Sequence, residues 1–373
     1  MRIVSVVGTR PQLIKAAALQ PALRARHAEV LVDTGQHWDD TLAGSFFGEL
    51  GLPRPDHSLG AGGGSHAEQT AAMLLALEPI LAAAKPDAVL VYGDTNSTLA
   101  GSLAAAKLGL PVAHVEAGLR SFDRRMPEEL NRIVADHLAR WLFAPTATAV
   151  TNLRAEGITA GVTLVGDLLQ DLAARVSPEV RDPAVLRSIA ADLAADASGL
   201  VLQPGGYLFA TIHRQENREA AAMAAWVGLL DGLARPRRPL ILALHPGTRR
   251  ALAEAAIGLG RDVVIVDPQG YRTSLALQLH AAAVLTDSGG IQREAAWLGT
   301  PCLVLRDTTE WSEAVEASAG RMVVVGLDAL RAAAELDRLA PPGSAAMLAR
   351  TRAASLSLAP AGAAQAITAA LAG

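Results

Sequence analysis

Residues Val284–Glu294 read VLTDSGGIQRE. Val284, Leu285 and Thr286 close an apolar run, Asp287-Ser288-Gly289-Gly290 has turn chemistry, and IQREAAWLG then follows helical spacing up to a glycine stop. The pattern predicts a strand, a tight loop and a helix start. Two glycines allow an anion to approach the backbone, Ser288 offers a hydroxyl, and the unpaired N–H groups and dipole of a helix N-terminus favour negative charge. A diphosphate suits such a loop. Glu294, one turn further on, is placed to hold a ribose diol. Standing alone, the stretch is equally an ordinary turn with a capping serine.

Outward from this stretch, short apolar runs alternate with longer helical patterns along the whole chain, the mark of parallel α/β architecture. The first half carries candidate strands at Arg2–Val7, Glu29–Thr34, Ala88–Tyr92, Val112–Glu116, Trp141–Ala144 and Thr163–Val165. The second carries Tyr207–Ile212, Leu240–Leu244, Val263–Val266, Val284–Thr286, Cys302–Leu305 and Met322–Val325. Six and six predict two doubly wound, Rossmann-like domains, taken as 1–168 and 169–373. The alanine-rich tail beyond Pro341 reads as terminal helices that could pack back on the first domain. At 373 residues the chain is long enough for two cores.

Composition narrows the function. A formal net charge of −4, from 33 basic and 37 acidic residues, leaves no basic footprint for nucleic acid. No leader pattern precedes the strand RIVSVV, and the most apolar run, AAMLLALEPILAAA, is interrupted by Glu78 and Pro79, so a soluble, cytoplasmic protein without a membrane partner is expected. The single cysteine, Cys302, lies in an apolar strand and reads as a small buried hydrophobe. No metal-ligand cluster and no Gly-Lys dipeptide of a phosphate-binding P-loop occur, which disfavours metal-assisted, nicotinamide or ATP chemistry; neither a metal nor a cofactor is expected.

Polar residues gather at predicted strand ends. Gly8-Thr9-Arg10, Asp94, Glu116, His213, His245 and Asp287-Ser288 each follow a strand, where open α/β sheets hold ligands. Arg10 and, one turn later, Lys15 suit phosphate, or they are surface charges. Asp94 is a functional carboxylate or a helix cap. In HVEAGLRSFDRRMPEELNR, from His114, Glu116, Arg120, Glu128, Glu129 and Arg132 crowd a short segment beside a buried strand, so they are paired structurally or functional.

Together the segments GTRPQLIK, TGQH, GDTNSTLA, HVEAGLRSFDRRMPEELNR, HRQEN and LTDSGGIQREA…LGTPCLVLRDTTEW resemble the UDP-N-acetylglucosamine 2-epimerase family, non-hydrolysing type, from Arg2 to about Gly326. The resemblance implies two Rossmann-like domains facing across a cleft in the GT-B arrangement, a homodimer, and interconversion of UDP-N-acetylglucosamine and UDP-N-acetylmannosamine. Matched motif by motif, it assigns Asp94, Glu116, Glu128 and His213 to catalysis, and Arg10, Lys15, Ser288, Gly289, Gly290 and Glu294 to substrate binding. Gln36, His37 and His245 match a second, activating UDP-sugar site, although Asp39 and Gly60–Gly64 replace polar or basic partners there. Trp311 stands where a basic residue often follows DTTE, and the short SFDRRMPEE loop resembles a branch serving capsule or lipopolysaccharide sugars. Three alternatives remain open: a hydrolysing 2-epimerase, which would release free sugar and UDP; a GT-B glycosyltransferase, which would need an acceptor; and a non-catalytic UDP-sugar sensor, with little use for the carboxylates around Glu116.

Overall fold

A computed structural model describes residues 1–36, 48–193, 200–212, 215–341 and 343–372. Their strands form two sheets, paired in parallel throughout. The first contains β1 (Arg2–Val7), β2 (Ala28–Asp33), β3 (His57–Ser58), β4 (Ala88–Tyr92), β5 (Val112–Val115), β6 (Ala139–Ala144) and β7 (Val162–Leu164), in the order β3-β2-β1-β4-β5-β6-β7. The second contains β8 (Leu208–Ile212), β9 (Leu240–Leu244), β10 (Val263–Val266), β11 (Ala283–Thr286), β12 (Cys302–Val304) and β13 (Met322–Val324), in the order β10-β9-β8-β11-β12-β13. In each sheet the order reverses beside the first strand, β1 or β8, which opens a crevice at the carboxyl ends of the strands. This is the expected two-domain α/β class.

All twelve predicted strands are present, with ends differing by no more than two residues. The exception to the count is β3, whose two exposed residues extend the first sheet beside β2 through Val32↔His57 and Asp33↔Ser58. It buries nothing, so no apolar run marks it.

The chain forms two compact units, Met1–Leu172 with Ala359–Gly373, and Ala173–Leu358. The first division falls inside the helix Leu168–Val180. In the first unit Val4, Val6, Val89 and Val91 pack on Met73, Leu77 and Leu81 of the helix His66–Ala84. That helix starts at a capping box, in which Ser65 Oγ accepts from Glu68 N–H at 3.3 Å and Glu68 Oε2 accepts from Ser65 N–H at 2.7 Å. The helix Ala363–Ala372 joins the same unit: Asp171 accepts from the N–H groups of Gly362 and Ala364, both at 2.8 Å, and Ile367 is wholly buried. In the second unit Trp226, Leu230 and Leu233 pack on β8, β9 and β11. Each fully buried aliphatic or aromatic side chain contributes roughly 1.5–3 kcal/mol. No described helix is long and apolar enough to cross a membrane.

Candidate active site

In the first unit the sheet delivers a group of charged side chains to the ends of β4 and β5. Gly93 follows β4 with φ of +64°, which a side chain would strain. Its N–H donates to Val115 O at 2.9 Å, extending the β4–β5 ladder by one bond. A Cβ at Gly93 would lie 3.2 Å from Lys15 Nζ and 3.3 Å from Glu116 Oε2. Those two atoms form a largely buried ion pair over the turn. Lys15 comes from the helix Arg10–Arg24, and Glu116 sits directly after β5 with φ of +71°. For a non-glycine residue this is a costly conformation, of the kind retained where a side chain must be aimed. Lys15 and Glu116 also line a pocket with Phe143, Pro145 and Asp167.

Asp94 is no helix cap. Thr95 is the N-cap residue of the helix Asn96–Lys107, and the Asp94 carboxylate instead accepts from Arg132 Nη2 at 2.7 Å. The Asp94 side chain keeps 37% of its surface exposed, enough for a ligand to reach it. Its pKa is raised above the usual carboxylate value by the surrounding protein; Arg132 and Lys15 pull it back, while Glu116 and Glu128 push it further up. Three carboxylates and two cations thus share one local field. Glu128 is itself exposed, on the first turn of the helix Pro127–Leu138. Arg10 begins its helix half-buried.

The remaining charges brace this group. His114 on β5 is fully buried, with Nε2–H donating to Gly93 O at 2.7 Å and Nδ1 paired with Asp136 Oδ1 at 2.7 Å. Asp136 Oδ2 meets Arg120 Nη1 at 2.7 Å, and Arg120 reaches Glu156 through Nε and Nη2, both at 2.7 Å. Burial would raise the Asp136 pKa, but His114 and Arg120 overrule it and hold it below the usual value. Burial likewise opposes the Arg120 charge, and Glu156 and Asp136 outweigh it. Glu129 accepts from the N–H groups of Ser121 and Phe122, fixing the loop before the helix. Asn131 donates to Asp94 O at 2.9 Å, and Gln12 donates to Tyr92 O at 2.7 Å. His114, Asp136, Asn131 and Gln12 escaped the sequence reading as site residues. One signal was available: Glu128, Arg132 and Asp136 recur every four residues, which sets polar side chains along one helical face.

In the second unit the strand, loop and helix lie where expected. Ser288 is the N-cap of the helix Gly289–Leu298, its Oγ facing Ile291 N–H at 3.5 Å, and the loop Ser288–Gly290 is half-buried. Ser288 N–H donates to Thr286 Oγ1 at 3.0 Å. Asp287 is buried and accepts from Asn217 Nδ2 at 2.7 Å, while Asn217 O accepts from Trp226 Nε1 at 3.0 Å. This tie, between residues seventy positions apart, also had no sequence signal. Glu294 is 5% exposed, and its Oε2 accepts from Gln278 Nε2 at 2.6 Å. Trp311 is buried against Arg293, whose guanidinium carbon lies 3.7 Å from the ring centroid.

Of the remaining candidates, Gln36 in the first unit is buried, with Oε1 accepting from Ser97 N and Oγ at 2.9 and 2.8 Å. In the second unit His245 is exposed and caps the helix Pro246–Glu254, Nδ1 accepting from Gly247 N–H at 3.1 Å. His37 and His213 lie outside the described residues. Among the described residues no group of His, Cys, Asp and Glu could hold a metal ion.

The family model of UDP-N-acetylglucosamine 2-epimerase matches residues 21–372. The chain belongs to that family. Among relatives of this 2-epimerase family, the UDP-2,3-diacetamido-2,3-dideoxy-D-glucuronate 2-epimerase of Pseudomonas aeruginosa is 41% identical over 334 residues, covering 88% of this chain and 90% of its own. The UDP-N-acetylglucosamine 2-epimerase of Methanocaldococcus jannaschii is 39% identical over 337 residues, covering 87% of this chain and 88% of its own. The crystal structure of the M. jannaschii 2-epimerase in complex with UDP-GlcNAc and UDP superposes with a TM-score of 0.85 at 33% identity, over 100% of this chain and 99% of that one. The 2-epimerase fold is thus shared from end to end.

Proposed function

We propose that this 2-epimerase interconverts UDP-N-acetylglucosamine, or a close UDP-linked 2-acylamino sugar, with its C2 epimer by eliminating and re-adding UDP. The observation that carries the proposal is the grouping of Asp94 and the Lys15–Glu116 pair at the adjacent ends of β4 and β5. The related enzymes support it, since both named activities invert C2 of a UDP-linked sugar.

The C2 hydrogen of such a sugar has no adjacent carbonyl to acidify it. Reversible deprotonation alone is therefore too slow, and the bond between C1 and the diphosphate oxygen must break. A carboxylate takes the C2 proton, the C2–H electrons form the C1=C2 double bond, and the C1–O electrons leave with UDP. In the return step a proton is delivered to C2 from the other face and a diphosphate oxygen re-forms the bond to C1. Asp94 and Glu116 are the proton-transfer pair, each such group contributing roughly 10²–10⁴-fold. Glu128 tunes the field around Asp94, and Lys15 pairs with Glu116. Arg10, His213 and the Ser288–Gly290 loop serve the diphosphate, and Glu294 the ribose. Gln36, His37 and His245 are proposed for a second UDP-sugar. In this reading the enzyme works as a cytoplasmic homodimer and needs no metal or nicotinamide.

Proton NMR of purified protein with UDP-N-acetylglucosamine tests the reaction. The expected result is a second anomeric signal, that of the C2 epimer, growing to a constant ratio. Free N-acylhexosamine and UDP in equal amounts would select the hydrolysing reaction, turnover only with an added acceptor would select a glycosyltransferase, and binding without change would leave a sensor.

A further inference from the structure

His114 is a titratable side chain that the proposed reaction leaves unused, and it is wholly buried on β5, two residues before Glu116. Both of its ring nitrogens face acceptors. Gly93 O, 2.7 Å from Nε2, is a carbonyl and can only accept. Asp136 Oδ1, 2.7 Å from Nδ1, belongs to a carboxylate whose other oxygen accepts from Arg120 Nη1 at 2.7 Å and from Gly118 N–H at 3.1 Å. The imidazole and Arg120 hold that carboxyl in its ionised form, so it accepts as well. The ring therefore donates through both nitrogens, as an imidazolium does.

What these two bonds reach explains why such a ring is kept in the core. Gly93 O belongs to the planar peptide joining Gly93 to Asp94, so one bond fixes the backbone from which the Asp94 side chain departs. The other runs through Asp136 to Gly118 N–H, two residues beyond Glu116. Glu116 sits at φ of +71°, a conformation that persists only where the surroundings over-determine it. Here Phe143 O accepts from both Glu116 N–H and Ala117 N–H at 3.1 Å, and Asp136 takes the next amide. One imidazole–carboxylate pair thus crosslinks the two turns that present Asp94 and Glu116. A buried ion pair is a weak source of stability, because apolar side chains of similar volume usually serve a core as well or better. Fixed geometry is what this pair supplies.

We infer that His114 is a positioning residue for the 2-epimerase reaction: a doubly protonated imidazole that, with Asp136, sets the spacing and aim of the Asp94 and Glu116 carboxylates while itself sealed from substrate. The inference rests on the proposed proton-transfer roles of those two carboxylates.

Two measurements test it. The first is NMR of wild-type protein carrying nitrogen-labelled histidine at neutral pH. Both ring nitrogens of His114 are expected to bear a slowly exchanging hydrogen, and a bare ring nitrogen overturns the inference. The second uses the double variant His114→Phe/Asp136→Leu, in which the NMR signals of His114 are also absent and so assigned. The double change removes one charge of each sign and leaves Arg120 on Glu156, so the core is expected to hold, whereas His114→Phe alone would strand Asp136. In the double variant kcat should fall roughly tenfold or more, as it does when reacting groups lose their alignment, with KM and UDP affinity within about twofold of wild type. A variant that melts with wild type and turns over at the wild-type rate overturns the inference. One that melts far lower, or loses kcat and UDP affinity in step, assigns the pair to folding and overturns it as well. Wild-type protein that epimerises nothing removes the reaction and this role with it, an outcome told apart from the others because no variant is needed to see it.

Discussion

Gly93→Ala perturbs the candidate site without touching a charged residue. The added methyl carries two separable costs. The first is backbone strain: a φ of +64° costs an alanine about 1–2 kcal/mol relative to glycine. The second is crowding, because the new carbon would stand 3.2 Å from Lys15 Nζ and 3.3 Å from Glu116 Oε2, so the ion pair must give by a few tenths of an ångström. Gly109→Ala isolates the first cost. Gly109 has φ of +68°, lies at the surface, and has no atom within 4 Å of its would-be Cβ. Urea denaturation should therefore show both variants destabilised by about 1–2 kcal/mol, with Gly93→Ala the worse. Activity should divide them. Misplacing a reacting group by about 1 Å can cost roughly 100-fold, so a shift of a few tenths predicts a fall in kcat on the order of tenfold for Gly93→Ala. Gly109→Ala should turn over at the wild-type rate. Equal activity of the two variants would refute the idea that the Lys15–Glu116 geometry matters to turnover.

Further outcomes follow from the surrounding contacts. Glu294→Ala should weaken UDP by roughly 1–3 kcal/mol in calorimetry, and Glu294→Gln by less, since an amide still meets Gln278. Asp136→Asn removes a carboxylate from a buried cluster of charges and should cost roughly 3–5 kcal/mol in urea denaturation at neutral pH. Because the folded Asp136 pKa lies below its ordinary 3.8, that stability is present above 3.8 and is lost as pH falls through the folded value; the gap between wild type and variant should close only in strong acid. The Asp94 pKa is raised, so the acid limb of kcat/KM should fall above the ordinary carboxylate range and disappear in Asp94→Asn.

Much of the fold was legible because parallel strands covered on both faces must be continuously apolar. AVLVY at β4 and VVIV at β10 are such runs, and their strands appear with the expected bounds. β3 was invisible because His57 and Ser58 are exposed and make only an edge pairing. Single strand-end residues such as Asp94, Glu116 and Ser288 stood out because polar groups directly after buried strands are few. Their supports did not. His114 reads like any residue of an apolar strand, and its partner Asp136 lies 22 positions away on a helix. The pairing of Asn217 with Asp287 depends on two loops that only the folded sheet brings together. The left-handed backbone of Glu116 leaves no trace in composition, and nothing in the sequence reveals that Trp311 lies on Arg293. Sequence spacing reports which face of an element is buried; it does not report which polar residue across the core answers it.

The most direct test of the central claim is the fate of the C2 hydrogen. Wild-type protein with UDP-N-acetylglucosamine in D₂O, without metal or nicotinamide, is expected to place deuterium at C2 of both epimers, because the proton removed and the proton delivered pass through different groups and one of them exchanges with solvent. Asp94→Asn and Glu116→Gln, which keep shape and lose the titrating group, should slow this exchange by roughly 100-fold or more while still binding UDP. Complete retention of protium at C2 in a sample that has demonstrably epimerised would contradict the account and withdraw the roles given to Asp94 and Glu116.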